Sequence, residues 1–428
     1  MPRLSSLVLK TLAGLGITLP AGGIFGDWSL ASQQAKILSS DINGSDELGT
    51  SVSISSDGNT AIVGAQGHGY YVGGSGLYGA GGAYIFVRSG STWTQQAKIM
   101  ASDAQGGDNF GRSVSISSDG NTAIVGAWQE DTGAAGAGAA YIFVRSGSTW
   151  TQQAKIQASD VQTNDYLGIS VSISSDGNAA IVGSYWEDTG GTDSGAAYIF
   201  VRSGSTWTQQ AKILGSDTSG VDWFGKSVSI SGDGNTAIVG SPQEDTGAAD
   251  AGAAYIFVRS GSTWAEQAKI QASDLQLSAE FGISVSISSD GNAAIVGAYK
   301  QNTGSTDDGA AYVFVRSGTS WTQQAKIQAT DKEADDYFGI SVSISSDGNT
   351  VVVGSPQEDT GGGNAGAAYI FTSSGSTWAQ QAKIQASDKG AGDQFGYSVS
   401  ISSDANSAIV GALYKNGNAG AAYIFVAG

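Results

Sequence analysis

The sequence predicts an all-β fold, a seven-bladed β-propeller of four-stranded antiparallel blades, on three observations. One unit recurs seven times, each unit carries four strand patterns, and the two chain ends hold complementary parts of a single unit. The core Ser-Val-Ser-Ile-Ser begins at Ser51, Ser113, Ser170, Ser227, Ser284, Ser341 and Ser398, and after one step of 62 residues every step is 57. So constant a period marks a repeat architecture. Four antiparallel strands per repeat make the propeller the leading form and an open superhelix the weaker one.

The elements follow in order along Ser113–Lys155. Ser-Val-Ser-Ile-Ser alternates apolar and small polar residues as a first strand, and Ser-Asp-Gly-Asn after it is a tight hairpin turn. Thr-Ala-Ile-Val-Gly is a second strand, apolar on both faces. A Gly/Ala-rich loop leads to a third, Ala-Ala-Tyr-Ile-Phe-Val-Arg, and Ser-Gly-Ser-Thr turns it into Trp-Thr-Gln-Gln-Ala-Lys-Ile. In this fourth strand a period of 2 places Trp, the first Gln, Ala and Ile on one face and Thr, the second Gln and Lys on the other, as expected of a half-wet outermost strand.

The chain ends predict closure. The last repeat stops at its third strand, Tyr423-Ile424-Phe425-Val426, whereas Ser32-Gln33-Gln34-Ala35-Lys36-Ile37 is a fourth strand with no blade of its own. Joined, they complete one blade and remove the exposed sheet edges. The expected division is an N-terminal extension, 1–27, acting as a docking peptide, and a propeller, 28–428.

Composition limits the partners and the chemistry. With 64 Gly, 4 Pro and 40% apolar residues, the chain suits strands and tight turns with an ample core. It has no Cys, so it offers neither disulfides nor thiolate metal sites. The net charge of −18 disfavours nucleic acid and anionic membrane surfaces, and no apolar run is long enough to insert into a membrane. A single histidine, His68, lies in an insertion of the first repeat. The Ser residues recur at fixed strand and turn positions, and Glu130-Asp131 with its copies lies in Gly-rich loops without the opposed geometry of glycosidase carboxylates. These acids read as solvated loop charges and the six Trp from Trp93 to Trp378 as core repeats. No catalytic residue is expected, and no cofactor beyond weak calcium binding by the acidic loops.

Residues 1–27 stand outside the repeat. A basic start, an apolar middle interrupted by Lys10, Gly14 and Gly16, and small residues afterwards fit a secretion leader poorly. A retained docking peptide is the better reading, its contacts made by Leu4, Leu7, Val8, Leu12, Leu15 and Ile17.

Two resemblances add to this. Phe224-Gly225 with Gly240-Ser241-Pro242, echoed by Phe338-Gly339 with Gly354-Ser355-Pro356, resembles the FG-GAP repeat of integrin α-subunit propellers over residues 30–428. Leu4-Ser5-Ser6-Leu7 and Lys10–Ile17 resemble short N-terminal segments of virion structural proteins of marine tailed phages. The first implies the fold and raises calcium, which members of that family bind through loops with Asp at alternating positions. This chain departs from the pattern, offering one Asp per turn (Asp57, Asp119, Asp176, Asp233, Asp290, Asp347 and Asp404), each expected to bond its own turn. The second implies a virion location, with other virion proteins as partners of the N-terminal segment.

In a four-stranded meander the fourth-to-first and second-to-third loops share one face. That face receives Asp41, Asp103 and their copies, the Glu-Asp pairs, and most of the excess negative charge. The opposite face receives the turn Asp residues and Arg88, Arg145, Arg202, Arg259 and Arg316, charges able to compensate one another. The repeats differ on the long-loop face: Tyr70 and Tyr71 in the first insertion, then Trp128, Tyr185, Trp186, Tyr299 and Tyr414. These are the candidate ligand-binding residues, since ring faces stack on sugars or fill protein pockets, and packing over strand ends competes with that role.

Three functions are therefore weighed. The favoured one is a non-enzymatic virion structural protein, a tail or capsid appendage with contact to a host-surface glycan or protein. A secreted or surface-attached bacterial adhesion or carbohydrate-binding propeller is the alternative, and a hydrolase using the acidic loop face is the third.

Overall fold

Each Ser-Val-Ser-Ile-Ser core is the innermost strand of a blade, and seven of them surround one axial channel. The computed structural model describes residues 26–72 and 75–428, without side chains for 70–75. Blade 2 shows the pattern: Phe110–Ile116, Thr122–Ala127, Ala139–Ser146 and Thr149–Ile156 pair in sequence as an antiparallel meander. Blades 1 and 3–6 repeat it. Blade 7 takes Phe395–Ile401, Ser407–Ala412 and Ala421–Val426 from the C-terminal end and Ser32–Ile37 from the N-terminal end. Ser32 pairs with Val426 and Ile37 with Ala422, so the ring is closed by its two chain ends as the sequence predicts.

The core lies between blades. Ile62 and Ile85 of the first blade pack against Val114, Ile116, Val125 and Tyr141 of the second, and equivalent clusters fill the other interfaces. The Ser residues of the first strand, legible only as small polar residues, are the stitches of the ring. Ser51 Oγ donates to the Gly111 carbonyl of the next blade, and the same bond of 2.8–2.9 Å occurs in all seven blades, ending with Ser398 to Gly49. Ser53 Oγ accepts the amide of Ile116 one blade on. The Phe-Gly pair serves the same contact: Phe110 is fully buried, and Gly111 sits at φ +94° with its backbone so near the Gly82 carbonyl that a Cβ would lie 2.3 Å from the oxygen. Only glycine is accommodated there.

The fourth strand differs from its expected simple alternation. Phe86 opposes Gln95 and Ile85 opposes Ala97, leaving Gln96 as the extra residue of a β-bulge. The bulge turns its side chain toward the next blade, where Gln96 Oε1 accepts the Trp150 indole N–H at 3.0 Å. Six such Trp-Gln bonds join neighbouring outer strands.

At the amino end, the propeller contacts begin before Trp28. The Gly26 amide donates to Asn406 Oδ1, Asp27 and Gly428 exchange backbone hydrogen bonds at 3.1 Å, and buried Trp28 donates its indole N–H to Ala405. All of this lies on the face of the tight turns. Leu4, Leu7, Val8, Leu12, Leu15 and Ile17 lie outside the described residues.

Candidate functional site

On the turn face the charged side chains serve their own turns. Asp119 Oδ1 accepts from Ser117 Oγ and the Asn121 amide, as expected for these Asp residues. The Arg residues do not compensate them: Arg88 Nε donates to the Gly90 carbonyl of its own hairpin, as do Arg145, Arg202, Arg259 and Arg316 to theirs. The two turns leave the blade at different radii, so each Arg closes the turn that comes directly after it.

The long-loop face corrects the expectation of solvated acids. Glu130 and Glu187 are fully buried and Glu244 and Glu358 nearly so. Each receives a fourth-strand lysine, as Glu130 receives Lys155 Nζ at 2.7 Å, and that lysine also reaches Asp103 at 2.8 Å. The Lys-Asp contact recurs in every blade at 2.6–2.8 Å. Asp131 Oδ1 accepts the Gly136 amide and so closes the loop on itself. Much of the negative charge counted to this face is thus spent inside it, because a buried carboxylate must be paired.

The Glu130 position is variable, and its occupant sets the character of each blade. It is His68 in blade 1, Gln301 in blade 5 and Lys415 in blade 7, and beside it stands a buried Asp (Asp108, Asp165, Asp222, Asp336) that becomes Ala279 where the Glu becomes Gln301. His68 is buried, with Nδ1 3.0 Å from Asp46 and Nε2 2.7 Å from Lys98 Nζ. It is a core residue of the blade. Burial foremost, with help from Glu130, Glu187, Glu244 and Glu358, pushes the carboxyls of Asp108, Asp165, Asp222 and Asp336 up to about 6.

The aromatic candidates divide. Trp128, Tyr185 and Trp186 come together in an arc over blades 2–4 with Tyr166 and Trp223, both of which the sequence reading missed. Tyr166 lies 4.8 Å from both Trp128 and Trp186, and Trp223 meets Tyr185 edge-on at 5.7 Å. Tyr185 is buried beneath the arc; Trp128, Tyr166, Trp186 and Trp223 are half-exposed. Tyr299 is apart, edge-on to Tyr337 at 5.1 Å with Lys300 above it, and Tyr414 stands exposed on blade 7. The side chains of Tyr70 and Tyr71 lie outside the described residues.

The arc borders the channel mouth. One residue per blade, the one after the Phe-Gly or Leu-Gly pair, lines that mouth: Thr50, Arg112, Ile169, Lys226, Ile283, Ile340 and Tyr397. Arg112 Nη1 donates to Tyr397 Oη at 3.4 Å, and Lys226 Nζ sits 4.2 Å above the Tyr185 ring. Their signal in the sequence was a departure at one fixed position of an otherwise constant repeat.

The FG-GAP repeat family matches the chain in seven segments, residues 31–86, 93–143, 150–200, 207–257, 264–314, 321–371 and 378–425, which together span well over half of it. No curated protein matches.

Proposed function

The chain belongs to the FG-GAP repeat family, and on that premise we propose that it is a non-enzymatic attachment module, a rigid propeller carried by a larger particle and presenting its long-loop face outward. The observation that carries this reading is polarity. Gly26 and Trp28 lie on the turn face, beside Asn406 and Ala405, whereas the aromatic arc and channel mouth occupy the other face. We infer that a particle joined through residues 1–27 is met at the turn face, which leaves the long-loop face free to touch a surface.

The particle we propose is the virion of a tailed phage, with the protein a tail or capsid appendage, on the resemblance of Leu4–Ile17 to virion proteins. The non-enzymatic reading is supported by His68, held in the blade core by Asp46 and Lys98. A chain beginning at Gly26 keeps every described contact of the propeller and is expected to fold yet fail to join the particle. Recovery of the native protein free in solution, processed near Ile24, would instead favour the secreted or surface-attached adhesin.

Calcium is given only a weak role. The loop glutamates are already engaged by lysines, and bare carboxylates on separate blades are not preorganised for an ion. Added calcium is expected to leave the melting temperature nearly unchanged; a large rise would reveal a dedicated site.

A further inference from the structure

We propose that the mouth of the axial channel, between blades 2 and 4, binds an anionic saccharide, with Arg112 and Lys226 receiving its carboxylate or sulfate and the Trp186–Tyr166–Trp223 arc stacking on its rings. This deepens the attachment reading and rests on it.

Charge is the first reason. In a chain of net charge −18, the mouth holds two cations from different blades, and among the described residues neither makes an ion pair. Arg112 has a tyrosine hydroxyl for company and Lys226 the faces of Tyr185 and Trp223, at 4.2 and 5.5 Å. The nearest acids are committed elsewhere: Glu280 to Lys300 at 2.6 Å, and Glu47 to the Gln66 amide at 2.7 Å. Burial first, and the Arg112 guanidinium second, lower the Lys226 ammonium to about 8. Two like charges held close without a counter-charge repel each other, and an anion between them relieves that repulsion.

Shape is the second reason. The mouth hollow, about 180 Å³, admits a charged substituent but not a protein element. Beside it the arc is broad, half-exposed and aromatic, suited to the apolar faces of sugar rings. The remaining mouth positions are mostly isoleucine, so the two cations fix where the acidic group goes. An acidic peptide would satisfy the charge, but a row of aromatic side chains bordering the mouth across blades 2–4 favours sugar rings.

The test uses the full chain and four probes by calorimetry and tryptophan fluorescence: an oligogalacturonate, a neutral galactose oligomer of equal length, an oligoglutamate peptide and a heparin-derived oligosaccharide. The oligogalacturonate should bind, quench tryptophan emission, and lose affinity roughly tenfold or more in Lys226→Gln and Arg112→Gln, as expected for a charge-assisted contact. Neither variant should melt below the parent, since each removes one of two repelling charges. The heparin-derived oligosaccharide separates a carboxylate from a sulfate preference, and binding of either, lost in the two variants, supports the proposal. Equal binding of the neutral oligomer, binding of oligoglutamate alone, or acidic-sugar binding that survives both substitutions would overturn it. So would no binding of any probe. Attachment of the particle lost in Trp186→Ala, alongside any of those results, would leave the attachment reading standing and remove only the ligand class.

Discussion

Two sets of tryptophans in this molecule occupy opposite situations. Those of the outer strands, such as Trp150 and Trp207, recur at the repeat period and give their indole N–H to a bulged Gln of the preceding blade. Two of the loop tryptophans, Trp128 and Trp186, occur once each, and their indole nitrogens are covered by neighbouring atoms without any acceptor. A covered, unpaired N–H costs roughly 1–3 kcal/mol. The outer set therefore reads as adapted to stability, and the loop set as retained despite a cost to it. The same contrast separates the Ser-Gly and Trp-Gln bonds that link the scaffold from blade to blade from the arc and mouth, where Arg112 and Lys226 face one another's field.

The largest effect should come from breaking the scaffold at its closure. Without Ser32–Ile37, Ala421–Val426 loses its outer partner and presents an open edge, and buried Ile37 no longer covers the interface with blade 1. A deletion of these six residues should abolish a single cooperative melting transition and promote aggregation. A normal transition in the deleted chain would mean that the blades hold together without a closed ring, and the scaffold would lose the unity that sets it apart from the loops.

A smaller effect should appear with pH, since two kinds of carboxylate on the long-loop face, exposed ones held by lysine and buried ones beside a glutamate, are shifted in opposite directions. For Asp103 and Asp160 burial acts upward, but hydrogen bonds from Lys155 or Lys212 and from Tyr141 or Tyr198 together outweigh it, holding the carboxyls below their ordinary value of 3.8. Their stabilisation is present above that value and fades as the pH falls through the lowered one. Asp108, Asp165, Asp222 and Asp336, raised to about 6, behave in the reverse sense: their contribution is full below 3.8 and is lost as the pH rises through about 6. The melting temperature should therefore rise between about pH 7.5 and pH 5 and fall again below about pH 3.5. Asp222→Asn should raise it at neutral pH and change little at the lower optimum. A flat profile would show that the raised Asp residues are hydrated in solution, removing the cost assigned to these slots.

Much of the scaffold was legible because a repeat displays each residue seven times: strand alternation, turn glycines and the split last blade follow from Ser113–Lys155 and the chain ends. The β-bulge at Gln96 was not, because two consecutive Gln look the same whether or not one is displaced. Nor was the burial of Glu130, since its partner Lys155 lies 25 residues away and only the folded meander brings them to 2.7 Å. The site was half legible. Loop aromatics stood out as departures after the second strand, but Tyr166 and Trp223 precede the Phe-Gly position on a neighbouring blade, and a one-residue change such as Lys226 among Thr, Ile and Tyr gains meaning only once the first strands surround a channel.

The finest distinction lies in the indole nitrogens themselves, and one substitution made in both settings isolates it. Trp→Phe keeps an aromatic ring while removing the N–H. In Trp207→Phe the Gln153 carbonyl loses its 3.0 Å donor, and the outer strands of two blades lose one of their direct links. A cost of about 1 kcal/mol follows, a fall in melting temperature of a degree or two in a chain this long. In Trp186→Phe no bond is lost, because the N–H has no acceptor; an unsatisfied covered donor is removed while contact with Tyr166 and Tyr185 is largely kept. The melting temperature should stay level or rise slightly. Equal losses in the two variants, measured by calorimetry, would mean that Trp186 finds a partner in solution, and the contrast between linked outer strands and an unsatisfied loop face would then rest on Trp128, Arg112 and Lys226.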